Sequence, residues 1–126
     1  MINVEGSATD AELTSPDGRG TLAHTNHYAC DRMRPYEGNP DYARKSAVRL
    51  SRALELLVDA EPGTIDAAWL RAALADHTTD PPICRHREGD PKVETAFWSV
   101  ADVTAGEIRY GLGNPCDSEE QVYRFD

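Results

Sequence analysis

The sequence predicts an α+β fold, a largely antiparallel sheet with two helices on one face. Three observations lead there. Short stretches of alternating apolar and polar residues lie toward both ends of the chain, and two segments with three- and four-residue apolar spacing lie between them. The order is therefore strands, two helices, strands, which is the pattern of segregated elements rather than of βαβ units.

Met1–Glu5 reads as a short strand closed by Gly6-Ser7, and Ala11–Thr14 as a second. Ser15-Pro16-Asp17-Gly18 is a strong turn signal, and Gly20–Thr25 is expected to return as a strand paired with Ala11–Thr14. Tyr28–Asn39 has no periodicity and reads as a surface loop. Asn39-Pro40-Asp41 is a good helix start, with a capping Asn and a proline at the first helical position. Ala43, Ala47, Leu50, Leu54 and Leu57 then form one apolar stripe to about Val58, with Arg49 and Arg52 off its centre. Pro62-Gly63 ends the segment. Thr64 is expected to cap a second helix running to about His77, with Ala67, Leu70, Ala73 and Leu74 as its inner face.

Thr78–Pro91 is polar and irregular around Ile83-Cys84-Arg85-His86. Thr95–Val103 has the clearest strand alternation, and Thr104-Ala105-Gly106 turns it into a second strand, Glu107–Leu112. Gly113-Asn114-Pro115-Cys116 breaks that strand, and Val122–Phe125 reads as a short edge segment. Trp98, Val100 and Tyr110 suggest that the sheet face away from the helices is apolar enough to need a cover.

The chain has 126 residues, room for one domain and one core. No apolar run approaches the roughly 18–20 residues that span a bilayer, and Met1–Gly6 has neither the basic nor the apolar region of a secretory signal. The 22 acidic against 13 basic side chains give a net charge of -9, which repels phosphate backbones and argues against nucleic acid as a partner. Cys30, Cys84 and Cys116 are odd in number and irregular in spacing, so no disulfide framework is expected and a cytoplasmic location is the default.

Chemistry is concentrated in Leu22-Ala23-His24-Thr25-Asn26-His27-Tyr28. An apolar segment ending in a polar cluster presents donors where a developing anion could be stabilised, and Arg49 on the following helix offers fixed positive charge. These residues, with Ser46-Ala47-Val48-Arg49-Leu50-Ser51-Arg52 downstream, resemble the isopenicillin-N acyltransferase-like family of autoproteolytic N-terminal-nucleophile (Ntn) hydrolases, which act on linear amide bonds. Ile2-Asn3-Val4-Glu5, Ile83-Cys84-Arg85-His86 and the hairpin from Thr95 to Gly113-Asn114-Pro115-Cys116 add to the resemblance, which covers nearly the whole chain but only the C-terminal half of a family member.

The resemblance implies an αββα sandwich and acyl transfer or peptidase-like amide hydrolysis through a cysteine-linked acyl-enzyme. It implies that the Asn26 amide stabilises the oxyanion and that Arg49 organises the nucleophile end; beside them, His24 and His27 are expected to line the substrate pocket or to support Asn26. The substrate would be a small-molecule amide or acyl donor. The residues imply no cofactor, although an acyltransferase of this kind can use an acyl-coenzyme A donor. The family nucleophile is a cysteine made N-terminal by self-cleavage. Residue 1 here is Met and residue 2 is Ile, and the acidic partner of the nucleophile is also missing, so the resemblance implies a C-terminal fragment that is inactive alone. Cleavage before Cys30 would detach Asn26 from the helix, and Cys116 follows most of the fold, so Cys30, Cys84 and Cys116 read as small buried apolar residues.

Plainer and rival readings stand beside this one. Asn26 can bond backbone at a strand end, and Arg49 can pair with surface acids. A zinc-binding module could draw on His24, His27 and Cys30 with Cys84 and His86, although on a strand His24 and His27 would face opposite ways. A non-catalytic subunit docking on a partner would use the acidic surface and an exposed sheet face. Asp102, Glu94 and Glu107 offer carboxylates near the last hairpin, but Asp102 is ordinary beside a turn. Gly111-Leu112-Gly113 lacks the following helix of a phosphate loop. His77 is accounted for by the helix dipole.

Overall fold

The computed structural model describes residues 2–87 and 93–125. Met1, the start of the expected first strand, and residues 88–92, which hold the end of the expected irregular stretch, lie outside the described residues. The protein is α+β, with two α-helices and small antiparallel sheets, and it divides into two compact units, Met1–Leu57 and Val58–Asp126.

In the first unit β1 (Asn3–Gly6) pairs antiparallel with β2 (Ala11–Thr14), placing Val4 opposite Leu13 and Glu5 opposite Glu12. The expected pairing of Gly20–Thr25 with Ala11–Thr14 is not formed, and Gly20–Thr25 is not a strand. Turn chemistry decides the outcome. Ser7 and Asp10 close a tight β1–β2 connection, with Ser7 N–H donating to the Asp10 carbonyl (2.8 Å) and Asp10 N–H to Ser7 Oγ (3.0 Å). Asp17 instead closes a loop on itself: its Oδ1 accepts from Arg19 N and Thr21 N, and Thr21 Oγ1 donates to its Oδ2. That consumes the residues that would have begun a ladder.

The hairpin turns its polar side inward. Glu5 is buried, whereas Val4 and Leu13 are 62% and 64% exposed. The expected surface loop after Tyr28 contains a 3-10 turn, Arg34–Tyr36, and buries Met33 completely. Helix α1 (Pro40–Asp59) starts as its sequence predicts, with Asn39 Oδ1 accepting from Tyr42 N–H at 3.0 Å. Its buried residues are Ser46 and Arg49, so the deepest face lies beside the apolar stripe and Leu54 remains exposed.

In the second unit α2 (Ala67–Leu74) is shorter than expected at both ends. Asp66, not Thr64, is its cap, accepting from Trp69 N–H at 2.7 Å. Three strands follow, β3 (Phe97–Asp102), β4 (Glu107–Leu112) and β5 (Gln121–Arg124), in the order β3-β4-β5. The β3–β4 turn is closed by Asp102 Oδ1, which accepts from Thr104 N and Ala105 N, and by Gly106 at a φ of 65°. Helix α2 packs against β3, and Trp98 and Val100 form the covered face. The open face therefore carries Phe97 and its register partner Leu112, 66% and 77% exposed, rather than Trp98 and Val100.

The expected single sheet with both helices on one face is thus two separate sheets; all but the last two residues of α1 belong to the first unit, and α2 to the second. No helix among the described residues is long and apolar enough to cross a membrane.

Candidate functional site

A cavity of about 310 Å³ opens in the first unit between β1 and the 24–28 segment, lined by Val4, Glu5, Gly6, His24, Thr25, Asn26, His27, Tyr28 and Glu37. The chain turns sharply there, with His27 N–H donating to the Thr25 carbonyl at 2.9 Å. That turn brings His24, Asn26 and His27 to one cavity, which an extended strand would not do.

Glu5 organises the floor. Its Oε1 accepts from Ala29 N–H (2.9 Å) and lies 3.0 Å from His24 Nε2, and its Oε2 accepts from Cys30 N–H (3.0 Å). Burial opposes ionisation of this carboxyl. The hydrogen bonds from Cys30, Ala29 and His24 outweigh that effect and hold it below the usual carboxylate range. Tyr28 ties the opposite wall to β1 through a 2.7 Å bond from its hydroxyl to the Gly6 carbonyl.

Behind the cavity, His27 Nδ1 lies 3.1 Å from both Thr25 Oγ1 and Ser46 Oγ, and Thr25 Oγ1 donates to the Ser46 carbonyl. Desolvation, reinforced by His24, pushes the His27 ring below the usual histidine range and favours its neutral form. Arg49 is buried, donating to the Lys45 carbonyl (3.2 Å) and to Ser46 Oγ (3.4 Å), with its guanidinium 6.0 Å from the Tyr42 ring centre. It does not line the cavity; Ser46 and His27 connect it there. Among the described residues, none hydrogen-bonds to the Asn26 side chain.

Glu5, Ser46 and Glu37 were not legible as individual site residues in the sequence, whereas Tyr28 belongs to the stretch in which chemistry was expected. For Ser46 a signal exists: it lies three residues before Arg49 on α1, so both occupy the same helix face.

The second unit gathers another set of reactive side chains. His77, Cys84, His86 and Cys116 bring one ligand-capable atom each to within 4.8 Å of all the others. Cys84 and His86 thus meet His77 and Cys116, whereas His24 and His27 bond Glu5 and Ser46, and Cys30 Sγ lies 3.2 Å from Thr14 Oγ1. The three thiols are free, and of them only Cys84 is buried; Cys30 is half-buried and Cys116 exposed, against the expectation of three buried apolar residues. Of the carboxylates considered near the last hairpin, Asp102 caps its turn, and Glu107 pairs with Arg109 (2.7 Å) and Arg124 (3.1 Å).

No family model matches the chain, and a search of curated proteins finds no match either.

Proposed function

We propose that the first-unit cavity is the oxyanion side of an acyl-transfer or linear-amide hydrolysis site, within an αββα Ntn-type sandwich whose cysteine nucleophile comes from another segment. The observation that carries this reading is the Asn26 amide, which lines the cavity with its N–H donors unengaged by the described residues. A neutral amide can donate to a developing O⁻ without changing protonation; the Asn26 side chain is exposed, and it is the backbone on either side of it that is held.

The neighbouring groups suit the role. Glu5 fixes the segment on either side of Asn26 through His24 and the Ala29 and Cys30 amides. Arg49 acts from behind through Ser46 and His27, as a positioning residue rather than a substrate contact. A volume of about 310 Å³ is at the small end of ligand pockets, appropriate to a compact acyl or amide group. The exposed apolar pairs Val4–Leu13 and Phe97–Leu112 favour a further layer that would complete each sheet.

The test is an NMR titration with N-acyl amino acids and short-chain acyl amides. Saturable shifts are expected at residues 4–6, 24–28 and 37, and Asn26→Ala should weaken binding. In the enzyme assembled with its nucleophile-bearing segment, Asn26→Ala should lower kcat by about 10²–10³. Shifts that avoid residues 24–28, or an unchanged kcat, would overturn the reading.

A further inference from the structure

We propose that His77, Cys84, His86 and Cys116 form a structural zinc site in the second unit. This inference does not depend on the acyl-transfer reading, because it concerns other residues and is tested by metal content rather than activity.

The spacing of the donor atoms carries the argument. Cys84 Sγ and Cys116 Sγ lie 3.6 Å apart, Cys84 Sγ and His86 Nε2 3.9 Å, Cys116 Sγ and His86 Nε2 3.3 Å, and His86 Nε2 and His77 Nε2 3.0 Å. A tetrahedral zinc with Zn–S near 2.3 Å and Zn–N near 2.05 Å requires edges of about 3.8 Å (S···S), 3.6 Å (S···N) and 3.3 Å (N···N). Each of these four separations agrees with its edge to within about 0.4 Å. The sulfurs are well beyond the roughly 2.05 Å of a disulfide bond.

Local structure explains the convergence. Cys84 and His86 flank Arg85, which donates its N–H to Thr95 Oγ1 and accepts Thr95 N–H at its carbonyl, so the stretch between the two ligands is pinned on both sides. The two side chains meet there, with Cys84 Sγ 3.9 Å from His86 Nε2. Cys84 N–H donates to the Asp76 carbonyl at 3.0 Å, which fixes the chain beside His77. The Cys116 loop is held from α2: Arg71 donates to the Pro115 carbonyl (3.2 Å) and the Ser118 carbonyl (2.9 Å).

The immediate surroundings also suit a bound cation. Asn114 Nδ2 donates to Cys84 Sγ at 3.4 Å and to the Arg85 carbonyl at 2.8 Å, the kind of outer contact that orients a thiolate ligand. Two thiolates and two neutral imidazoles would balance the charge of Zn²⁺, with both thiol protons released on binding. Four protein donors leave no open position, so the ion would be a structural one. It would join the end of α2, the 84–86 segment and the β4–β5 connection. Softness of the donor set selects zinc over magnesium or calcium.

The whole chain, purified under reducing conditions without chelator, should contain about one equivalent of zinc. Replacing the zinc with Co²⁺ should give the visible d–d bands of a tetrahedral site and a thiolate charge-transfer band in the near ultraviolet. Cys116→Ser and His77→Ala, both at exposed positions, should weaken metal binding at least tenfold, and Cys30→Ser should leave it unchanged. Folded, reduced protein that takes up less than about a tenth of an equivalent and shows no tetrahedral cobalt spectrum would overturn the proposal. So would a site lost with Cys30 and kept without Cys116. The wild-type cobalt spectrum decides the matter even if Cys84→Ser fails to fold.

Discussion

Glu5→Gln is the perturbation that most directly probes how the first unit is held together. The side chain is 2% exposed and receives two backbone N–H groups, Ala29 at 2.9 Å on Oε1 and Cys30 at 3.0 Å on Oε2. Glutamine has the same shape but only one acceptor oxygen. If that oxygen stays with Cys30, the new NH₂ faces the Ala29 N–H; if it flips, the NH₂ faces the Cys30 N–H. Either orientation orphans one donor, at about 1–3 kcal/mol, and removes charge assistance from the surviving bond, roughly 1 kcal/mol more. The expected loss is about 2–4 kcal/mol, a large part of the 5–15 kcal/mol typical of a folded protein. Urea unfolding at pH 7 reads it as a midpoint lowered by about 1–2 M at an m-value near 2 kcal/mol/M. Hydrogen exchange at Ala29 or Cys30 should quicken in the same variant. The native carboxyl titrates below its ordinary 4.5, so its contribution is complete above that value and is lost as pH falls through the folded-state value. The gap between wild type and variant should therefore close in acid. An unchanged midpoint with both amides still protected would refute this account of Glu5.

Two further outcomes follow from the same geometry. The His27 ring titrates below its ordinary 6.5 because of desolvation and then His24, so its contribution to stability is complete above about pH 6.5 and declines as pH falls from there toward the folded-state value. Denaturation midpoints measured from pH 7 to pH 5 should decline in wild type and decline less in His27→Gln; parallel curves would exclude His27 as the cause. In the second unit, a Cβ on Gly111 would sit 2.4 Å from Trp98 Nε1, 2.8 Å from Ser118 Oγ and 2.9 Å from the Glu119 carbonyl. Gly111→Ala should cost about 1–3 kcal/mol, because the Glu119 backbone cannot yield as a side-chain tip can. Thermal unfolding with near-ultraviolet dichroism from Trp98 would detect it, and an unchanged melting temperature would show that the strand has room.

What the sequence revealed was what local chemistry decides. Asn39-Pro40 specified the start of α1 because cap and proline act within one turn, and the β3–β4 hairpin was legible because its alternation and turn residues agree. The pairing of β2 was not legible. Gly20–Thr25 and Asn3–Gly6 are comparable partners by pattern, and the choice rests on whether Ser7–Asp10 or Ser15–Gly18 makes the hairpin turn. The convergence of His77 with Cys116 was equally hidden, since it depends on Arg71 holding a loop distant in sequence. Even so, the Cys84-x-His86 spacing carried a usable signal, two ligand-type residues close together in sequence.

The distribution of polarity in the first unit bears on the proposed function. Its interior combines Met33 with three polar residues, Glu5, Ser46 and Arg49, and no buried side-chain nitrogen or oxygen among the described residues lacks a hydrogen-bond partner. Such an interior gives direction and register, but it removes little apolar surface from water. The apolar residues of its hairpin, Val4 and Leu13, point outward as a cross-strand pair. A hairpin with an acid inside and its aliphatic pair outside leaves one apolar face uncovered by the described residues of its unit. Under the proposed function, Glu5 and Arg49 would hold the Asn26 segment in place, and a further layer would cover Val4 and Leu13. A chain that buried Val4 and Leu13 against itself would need no such layer, and the proposed function would lose one of the observations it rests on.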